Sequence, residues 1–270
     1  MGRHERQVVL KTIDESEKVS ELYVKKDTLT VRNNFHKKYS VNKYGWHNWV
    51  FDQYLFRENT RVLELGCGTG NTWIGNEKRI PPNVNIILTD ISPLMSGKAI
   101  RNLEKNKNFS FQLADIQKIP FADNEFDTVI ANHMLYHVPN LSRALSEIKR
   151  VLKEDGLFYS TTTGKNSLGE LNEIYKKFRD RAEFAFSENI SYTLDNGESI
   201  LKEYFKKIEK RLYEDSLEVT EADDLMEYIV SYNDLPDDIC SEIREIIKTR
   251  ISENGSFRIN KEQGMFVCNK

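Results

Sequence analysis

Three glycines and three carboxylates fall where a parallel sheet would present them to a ligand. Gly66, Gly68 and Gly70 are spaced two apart at the end of an apolar run that contains Glu64. Glycine tolerates positive φ and lets backbone approach a ligand with no Cβ between them, so this turn suits a nucleotide-type molecule. Asp90 ends a second apolar run, Val84–Thr89, and Asp115 follows a third, Phe109–Leu113. A carboxylate at the end of the second strand can accept hydrogen bonds from two ribose hydroxyls. An acid after the third can accept from an exocyclic amine such as that of adenine. Each aspartate also has a plainer reading as a turn or N-cap residue. Asn71 stands where a dinucleotide fingerprint would carry its last glycine, and no Gly-Lys-Ser/Thr phosphate loop is present, so dinucleotides, ATP and GTP fit poorly.

The elements that must position these residues alternate. Strands are expected at Arg61–Gly66, Val84–Thr89, Phe109–Leu113, Phe126–Ala131 and Leu157–Thr163, with helices over Asn71–Arg79, Pro93–Lys105 and the stretch from Leu141 to Leu152 that Gly156 stops. The first of these helices would aim unsatisfied N–H groups over the glycine turn. Ser92 is a candidate N-cap ahead of Pro93. Such alternation argues for right-handed βαβ units and a parallel sheet, with ligands beyond the carboxyl ends of the strands. Later elements are helices at Leu168–Arg181, Glu198–Glu209, Glu221–Tyr232 and Pro236–Glu253, and strands at Arg211–Val219 and Gly264–Cys268. Upstream, a helix is expected at Glu15–Tyr23 and an amphipathic one from Trp46 to Arg57. Residues 165–200, with Phe184, Phe186 and Tyr192, form a candidate substrate cap, and 1–60 a second covering segment. The aromatics Tyr39, Tyr44 and Trp46 either pack that segment down or close over a ligand as a lid.

The whole chain narrows the classes. With 270 residues, 39% apolar and 30% charged, it reads as folded and soluble. A net charge of −3 carries no footprint for duplex nucleic acid or an anionic membrane. Three cysteines with no CxxC pair argue against a disulfide framework or structural zinc and for a reducing cytoplasm. No signal peptide, membrane span, repeat or metal site is expected.

Taken together, the motifs bear a resemblance. Val62-Leu-Glu-Leu-Gly-Cys-Gly-Thr-Gly70 resembles motif I of the class I S-adenosylmethionine-dependent methyltransferases. Leu88-Thr-Asp-Ile-Ser92 resembles their second motif. Leu113–Asp127, Ala131-Asn-His-Met-Leu-Tyr-His-Val138 and Glu147–Gly156 continue the series, with Asp155-Gly156 where a Pro-Gly-Gly turn is common. The branch most similar includes ubiquinone/menaquinone-biosynthesis and other small-molecule methyltransferases. The match spans about residues 60–164; in this family the flanking regions vary with substrate. The resemblance implies an α/β fold: a Rossmann-like, mostly parallel seven-stranded sheet with helices on both faces, its last strand antiparallel, plus a helical and aromatic cap. It implies that Gly66 and Gly68 lie against the methionine part of S-adenosylmethionine, with Gly70 completing the turn. Glu64 would order the turn or meet the cofactor's amino group through water. Asp90 would hold the ribose and Ile91 the adenine. Asp115 would take the adenine amine, the Ile116 backbone would meet the ring, and Asn132 and His133 would flank the methionine moiety.

On that resemblance, His137 is the first candidate for a general base, because an imidazole titrates near neutrality. It has a plainer reading as a packing residue, and His133 and Tyr136 rank behind it. Tyr136 joins Tyr39, Tyr44 and Trp46 as candidate substrate contacts. The expected activity is methyl transfer to a small-molecule acceptor, leaving S-adenosylhomocysteine. A nucleic-acid or protein methyltransferase is the alternative, kept open by Lys37, Lys38 and Lys43 among aromatics, and a binder without turnover is a third reading.

Overall fold

The computed structural model describes residues 28–184 and 190–270. The helix expected at Glu15–Tyr23 and the side chain of Phe186 lie outside them. Two helices, α1 (Thr28–Tyr39) and α2 (Trp46–Gln53), precede β1 (Arg61–Leu65). Then come β2 (Asn85–Asp90), α3 (Pro93–Leu103), β3 (Phe109–Leu113), β4 (Phe126–Asn132), α4 (Leu141–Val151) and β5 (Leu152–Thr163). The chain continues through α5 (Gly169–Tyr175), α6 (Gly197–Leu201), β6 (Lys207–Val219), α7 (Ala222–Val230), α8 (Asp237–Asn254) and β7 (Phe257–Asn269).

The strands form one seven-stranded sheet in the order β3-β2-β1-β4-β5-β7-β6. All neighbours are parallel except that β7 runs antiparallel to both β5 and β6, as the family resemblance implies. The alternation of the strand residues sets the layers. Leu63 and Leu65 of β1 face Ala144, Leu145 and Ile148 of α4 in one buried cluster. Val62, Ile86 and Leu88 face the other way, onto Val50, Phe51 and Trp73. α3 starts as its sequence suggests, with Ser92 Oγ accepting from the Met95 N–H and Pro93 at the first position.

Several expected elements are corrected, among them the helix from Trp46, which ends at Gln53 rather than Arg57. No α-helix follows the glycine turn: 71–79 winds through turns into a short 3-10 stretch, Glu77–Arg79. Gly70 at φ 78° precedes this coil and Gly75 at φ 83° interrupts it, and Asn76 Nδ2 donates to the Thr72 carbonyl at 3.0 Å instead of extending a ladder. Gly156 does not stop α4. The helix ends at Val151, and Leu152–Gly156 is a bulged start to β5, with the register shifting between Phe126 and Thr128. The helix from Glu198 ends at Leu201, because Lys207 already pairs with Asn269. The helix from Leu168 stops at Tyr175 and gives way to turns.

β7 is more than twice the expected length. Its second half, Gln263–Asn269, pairs with β5 and β6, whereas Phe257–Glu262 pairs with β6 alone, opposite Glu214–Val219. This outer half of the hairpin projects past the sheet and carries its own buried cluster, drawn from α1 (Phe35, Tyr39), α5, α7, α8, Leu217, Val219, Phe257 and Ile259. The N-terminal helix, the start of the segment after β5 and the outer hairpin therefore share a buried cluster of their own, whereas Tyr192 packs in the cluster of β4, β5 and α4.

Candidate active site

Glu64, Asp90 and Asn132 reach the carboxyl ends of β1, β2 and β4 side by side, since Glu64 registers with Leu88 and Ile130, two residues short of the other two. The chain leaves β1 through Gly66, Gly68 and Gly70 at φ 65°, 56° and 78°. A Cβ on Gly66 would crowd Met134 at 3.0 Å, and one on Gly70 would strike Leu103 Cδ1 at 2.6 Å. A Cβ on Gly68 would meet nothing within 4 Å, so this backbone faces open space.

Asp90 holds the loop. Its Oδ2 accepts from the Gly68 N–H at 2.9 Å and its Oδ1 from the Ser92 N–H at 2.8 Å. The Ile91 N–H also bears on this carboxylate, and since a carboxylate has about four acceptor positions, room remains for a further donor. Burial raises this carboxyl above its ordinary value, against the pull of the Ser92 and Gly68 N–H groups. Beside it, Ile91 is 43% exposed, an apolar side chain left open next to a carboxylate that is 8% exposed.

Glu64 turns into the protein. Its Oε2 accepts from Trp73 Nε1 at 2.5 Å and its Oε1 from Asn132 Nδ2 at 2.9 Å; the same amide also donates to the Tyr54 hydroxyl at 2.7 Å. Burial pushes Glu64 up to about 7, even with Trp73 and Asn132 donating to it. Asp115 Oδ1 accepts from the Gln117 N–H at 2.8 Å, and the Ile116 side chain packs in the cluster with Leu63.

Past β4 the backbone is strained at His133, φ 47°. Its N–H donates to the Thr161 carbonyl at 3.1 Å and hydroxyl at 3.0 Å. Burial first, then the charges of His47, Lys261 and His137, lower its imidazole to about 3. His137 ends the short turn Leu135–His137, its ring 4.5 Å from Tyr136, which is 6.3 Å from His133. Of the three upstream aromatics, Trp46 lies on His133 at 5.1 Å. Tyr39 is instead in the cap's cluster, donating to Asp224 at 2.6 Å, and Tyr44 is 52% exposed with its hydroxyl on Asp52.

A family model described as a methyltransferase domain matches residues 56–215, which takes in the glycine turn, all three acids and the strand-four exit. The chain belongs to this family. A demethylmenaquinone methyltransferase of Lactobacillus johnsonii is 33% identical over 115 residues, 42% of this chain and 47% of that protein. A malonyl-acyl-carrier-protein O-methyltransferase of Legionella pneumophila is 29% identical over 154 residues, 57% of this chain and 52% of that protein. The chain thus spans about half the length of the curated relatives it matches. Among solved structures, the 4+2 cyclase SpnF superposes with TM-score 0.58 at 16% identity over 94% of this chain and 96% of that one. A Haemonchus contortus phosphoethanolamine N-methyltransferase bound to S-adenosylhomocysteine gives 0.52 at 19% identity over 84% and 53%. These structural likenesses speak for the methyltransferase fold, and SpnF warns that the fold alone does not name a reaction.

Several residues around the site carry no motif. Tyr54 and Trp73 complete the bonds to Asn132 and Glu64. Lys261 Nζ pairs with Asp215 Oδ2 at 2.6 Å, side chains 4% and 0% exposed. A signal for that pair does exist. Tyr213, Asp215, Leu217 and Val219 share one side of a period-two run, as do Phe257, Ile259 and Lys261, so a charge falls on each apolar face.

Proposed function

We propose that this chain is an S-adenosylmethionine-dependent methyltransferase that acts on a small-molecule acceptor by in-line transfer. One observation carries the reading: a largely buried Asp90, fixed by two backbone N–H groups with acceptor capacity left over, beside an exposed Ile91 and an open Gly68. That set fits a ribose, an adenine face and a methionine chain in turn. Family membership and the quinone and carrier-protein methyltransferases among the relatives support it.

In this reading S-adenosylmethionine, when bound, supplies a methyl group on a sulfonium, already activated for displacement. The chain's task is then alignment and exclusion of water. Asp90 and Ile91 hold the nucleoside, Asp115 and the Ile116 backbone the adenine edge, and Gly66, Gly68, Gly70, Asn132 and His133 the amino-acid end. Glu64 acts through Trp73 and Asn132 to hold that end in place. His137 takes the acceptor's proton where the acceptor has one; desolvation and then the Arg32 charge lower its imidazole, so it is neutral and able to accept at pH 7. No described helix is long and apolar enough to cross a membrane. The three free thiols, Cys67, Cys240 and Cys268, suit a cytoplasmic setting.

Calorimetry with S-adenosylhomocysteine tests the reading. Wild-type protein should bind, and Asp90→Ala should bind at least about 100-fold more weakly, since two charge-assisted bonds at about 1.5–3 kcal/mol each are removed. Equal affinity in the two proteins would overturn the site.

A further inference from the structure

α2 touches the exit of β4 from both of its ends. At its start the Trp46 ring lies 5.1 Å from His133. Just past its last residue, the Tyr54 hydroxyl accepts from Asn132 Nδ2 at 2.7 Å. In the methyltransferase reading, Asn132 and His133 flank the amino-acid end of the cofactor. Tyr54 is packed from several sides: its ring centroid is 5.9 Å from Trp73, 5.2 Å from Tyr159 and 6.3 Å from Phe51. The Tyr159 hydroxyl also accepts from the Leu55 N–H at 3.0 Å, which fixes the chain just after it. Tyr54 lies before residue 56, where the match to the family model begins.

The bonds of the Asn132 amide leave it one thing to offer a ligand. Both Nδ2 hydrogens are spent, one on Tyr54 Oη and the other on Glu64 Oε1 at 2.9 Å. Oδ1 accepts from the Thr161 hydroxyl at 3.4 Å, and an amide oxygen has two lone pairs, so an acceptor position on Oδ1 remains. Glu64 is turned inward, with Trp73 Nε1 on its other oxygen at 2.5 Å. Tyr54, Glu64, Trp73 and Thr161 are all buried, whereas Asn132 is partly exposed. A buried polar group thus holds one outward amide by its nitrogen side. The assignment of O and N follows from these partners, because a flipped amide would set Oδ1 against an ionised Glu64.

We propose that Tyr54 is a positioning residue for the cofactor: through Asn132 it keeps the amide oxygen available to the ammonium group of the cofactor's amino-acid end. The inference rests on the methyltransferase reading and adds to it a residue from the segment ahead of the glycine turn. No bond from Tyr54 to the ligand is asked for. Its hydroxyl takes one Nδ2 hydrogen and Glu64 the other, so the amide is held at two points and cannot turn. Without the hydroxyl, one Nδ2 hydrogen loses its acceptor inside the protein, and a buried donor left unpaired is costly. The amide then rotates to seek another partner, and the oxygen leaves the place where the ammonium group would sit. The adenosine part of the cofactor is held by Asp90 and Ile91, neither of which bonds to Tyr54 or Asn132. The effect of Tyr54 is therefore confined to one end of the ligand.

The test is calorimetry on the full chain at about pH 8, where Glu64 is ionised. It compares S-adenosylhomocysteine with 5′-methylthioadenosine, which has the same adenosine and thioether but no amino-acid end. Tyr54→Phe keeps the ring and its packing. It should weaken S-adenosylhomocysteine about tenfold, within the range of coupling across one bonded network, and leave 5′-methylthioadenosine within about twofold. A residue that only supports the fold would move both ligands together or neither. In an Asn132→Ala background, Tyr54→Phe should make no further difference to S-adenosylhomocysteine, because the amide it acts through is gone. Asn132→Ser serves should the alanine protein fold poorly. Unchanged S-adenosylhomocysteine affinity in Tyr54→Phe, an equal loss for both ligands, or a loss that persists without the Asn132 amide would overturn the proposal. Failure of the unsubstituted chain to bind S-adenosylhomocysteine would instead remove the methyltransferase reading beneath it.

Discussion

Around β1 the acids that shape the turn mostly hold backbone, Glu64 and Asn132 excepted; around the outer half of the β6–β7 hairpin the charged side chains chiefly meet one another, though Asp215 also accepts from the Asn42 and Ser216 N–H groups. In the first region Asp90 grips the Gly68 and Ser92 N–H groups, Asp115 grips Gln117, and the Thr89 hydroxyl donates to the Glu64 carbonyl at 2.9 Å. In the second, Lys261 meets Asp215, Lys38 and Tyr39 meet Asp224, and Arg32 Nε donates to Ser231 Oγ at 3.1 Å. A loop held through its backbone can take any side chain that fits, so the ligand-facing surface is written in a few glycines and acids. A cap held side chain to side chain is written in pairs far apart in sequence, and each pair sets the shape of the space between.

The largest effect should come from breaking the second kind of contact. Burial would raise the Asp215 carboxyl, but the bonds from Lys261, Ser40 and Asn42 hold it low. Lys261→Met leaves that buried charge without its cation and should cost about 3–5 kcal/mol in urea unfolding. S-adenosylhomocysteine affinity should stay within about threefold, because Lys261 bonds to Asp215 and reaches His133 only through its charge. Asp215→Leu with Lys261→Met should recover most of the loss. A parallel collapse of cofactor affinity would show that the two regions are one.

Next is Glu64, a buried acid of the first region that pairs with other side chains. Folded, it holds its proton to about pH 7, against 4.5 for the free group. Between those values the native state binds more protons than the unfolded chain. The stability so gained is fully present below 4.5 and is lost as pH rises through about 7, on the order of 3 kcal/mol. The buried histidines His36, His47 and His133, lowered in both proteins, push the other way between about pH 5 and about pH 8, so the loss should appear as the difference between wild type and Glu64→Gln over that range; pH curves of identical shape would assign the proton elsewhere.

Ile91→Ala should have the smallest effect. An exposed side chain adds little to folding, so stability should move by less than about 0.5 kcal/mol. Cofactor affinity should fall roughly fivefold, about 1 kcal/mol of apolar contact. Calorimetry that shows unchanged affinity would take the adenine away from this side chain.

The same contrast sets what the sequence discloses. Phe109–Leu113 is a strand at the expected residues, and Ser92-Pro93 starts α3, because a local pattern dictates each. The glycine spacing and the acids at the strand ends are local too, so the shape of the cradle is legible in the order of residues alone. The absence of a helix after Gly70 is not, because a tertiary bond, Trp73 to Glu64, favours a coil over a ladder. Nor is the length of β7, whose outer half packs on α7 and α8 rather than the main sheet. Tyr54 and Trp73 share no motif with Asn132 and Glu64; only the fold brings them together.

β7 sits between β5 and β6, pairing Thr161 with Met265 and Tyr213 with Gln263. The strand that closes the sheet is thus made after both of the strands it separates. While a ribosome is still adding residues short of Phe257, β5 has a bare edge and the cap has half a hairpin. Partners this far apart in sequence make for slow closure, and an open central edge invites pairing with other chains. A message truncated before that strand should therefore yield clients for chaperones and proteases rather than a smaller working protein.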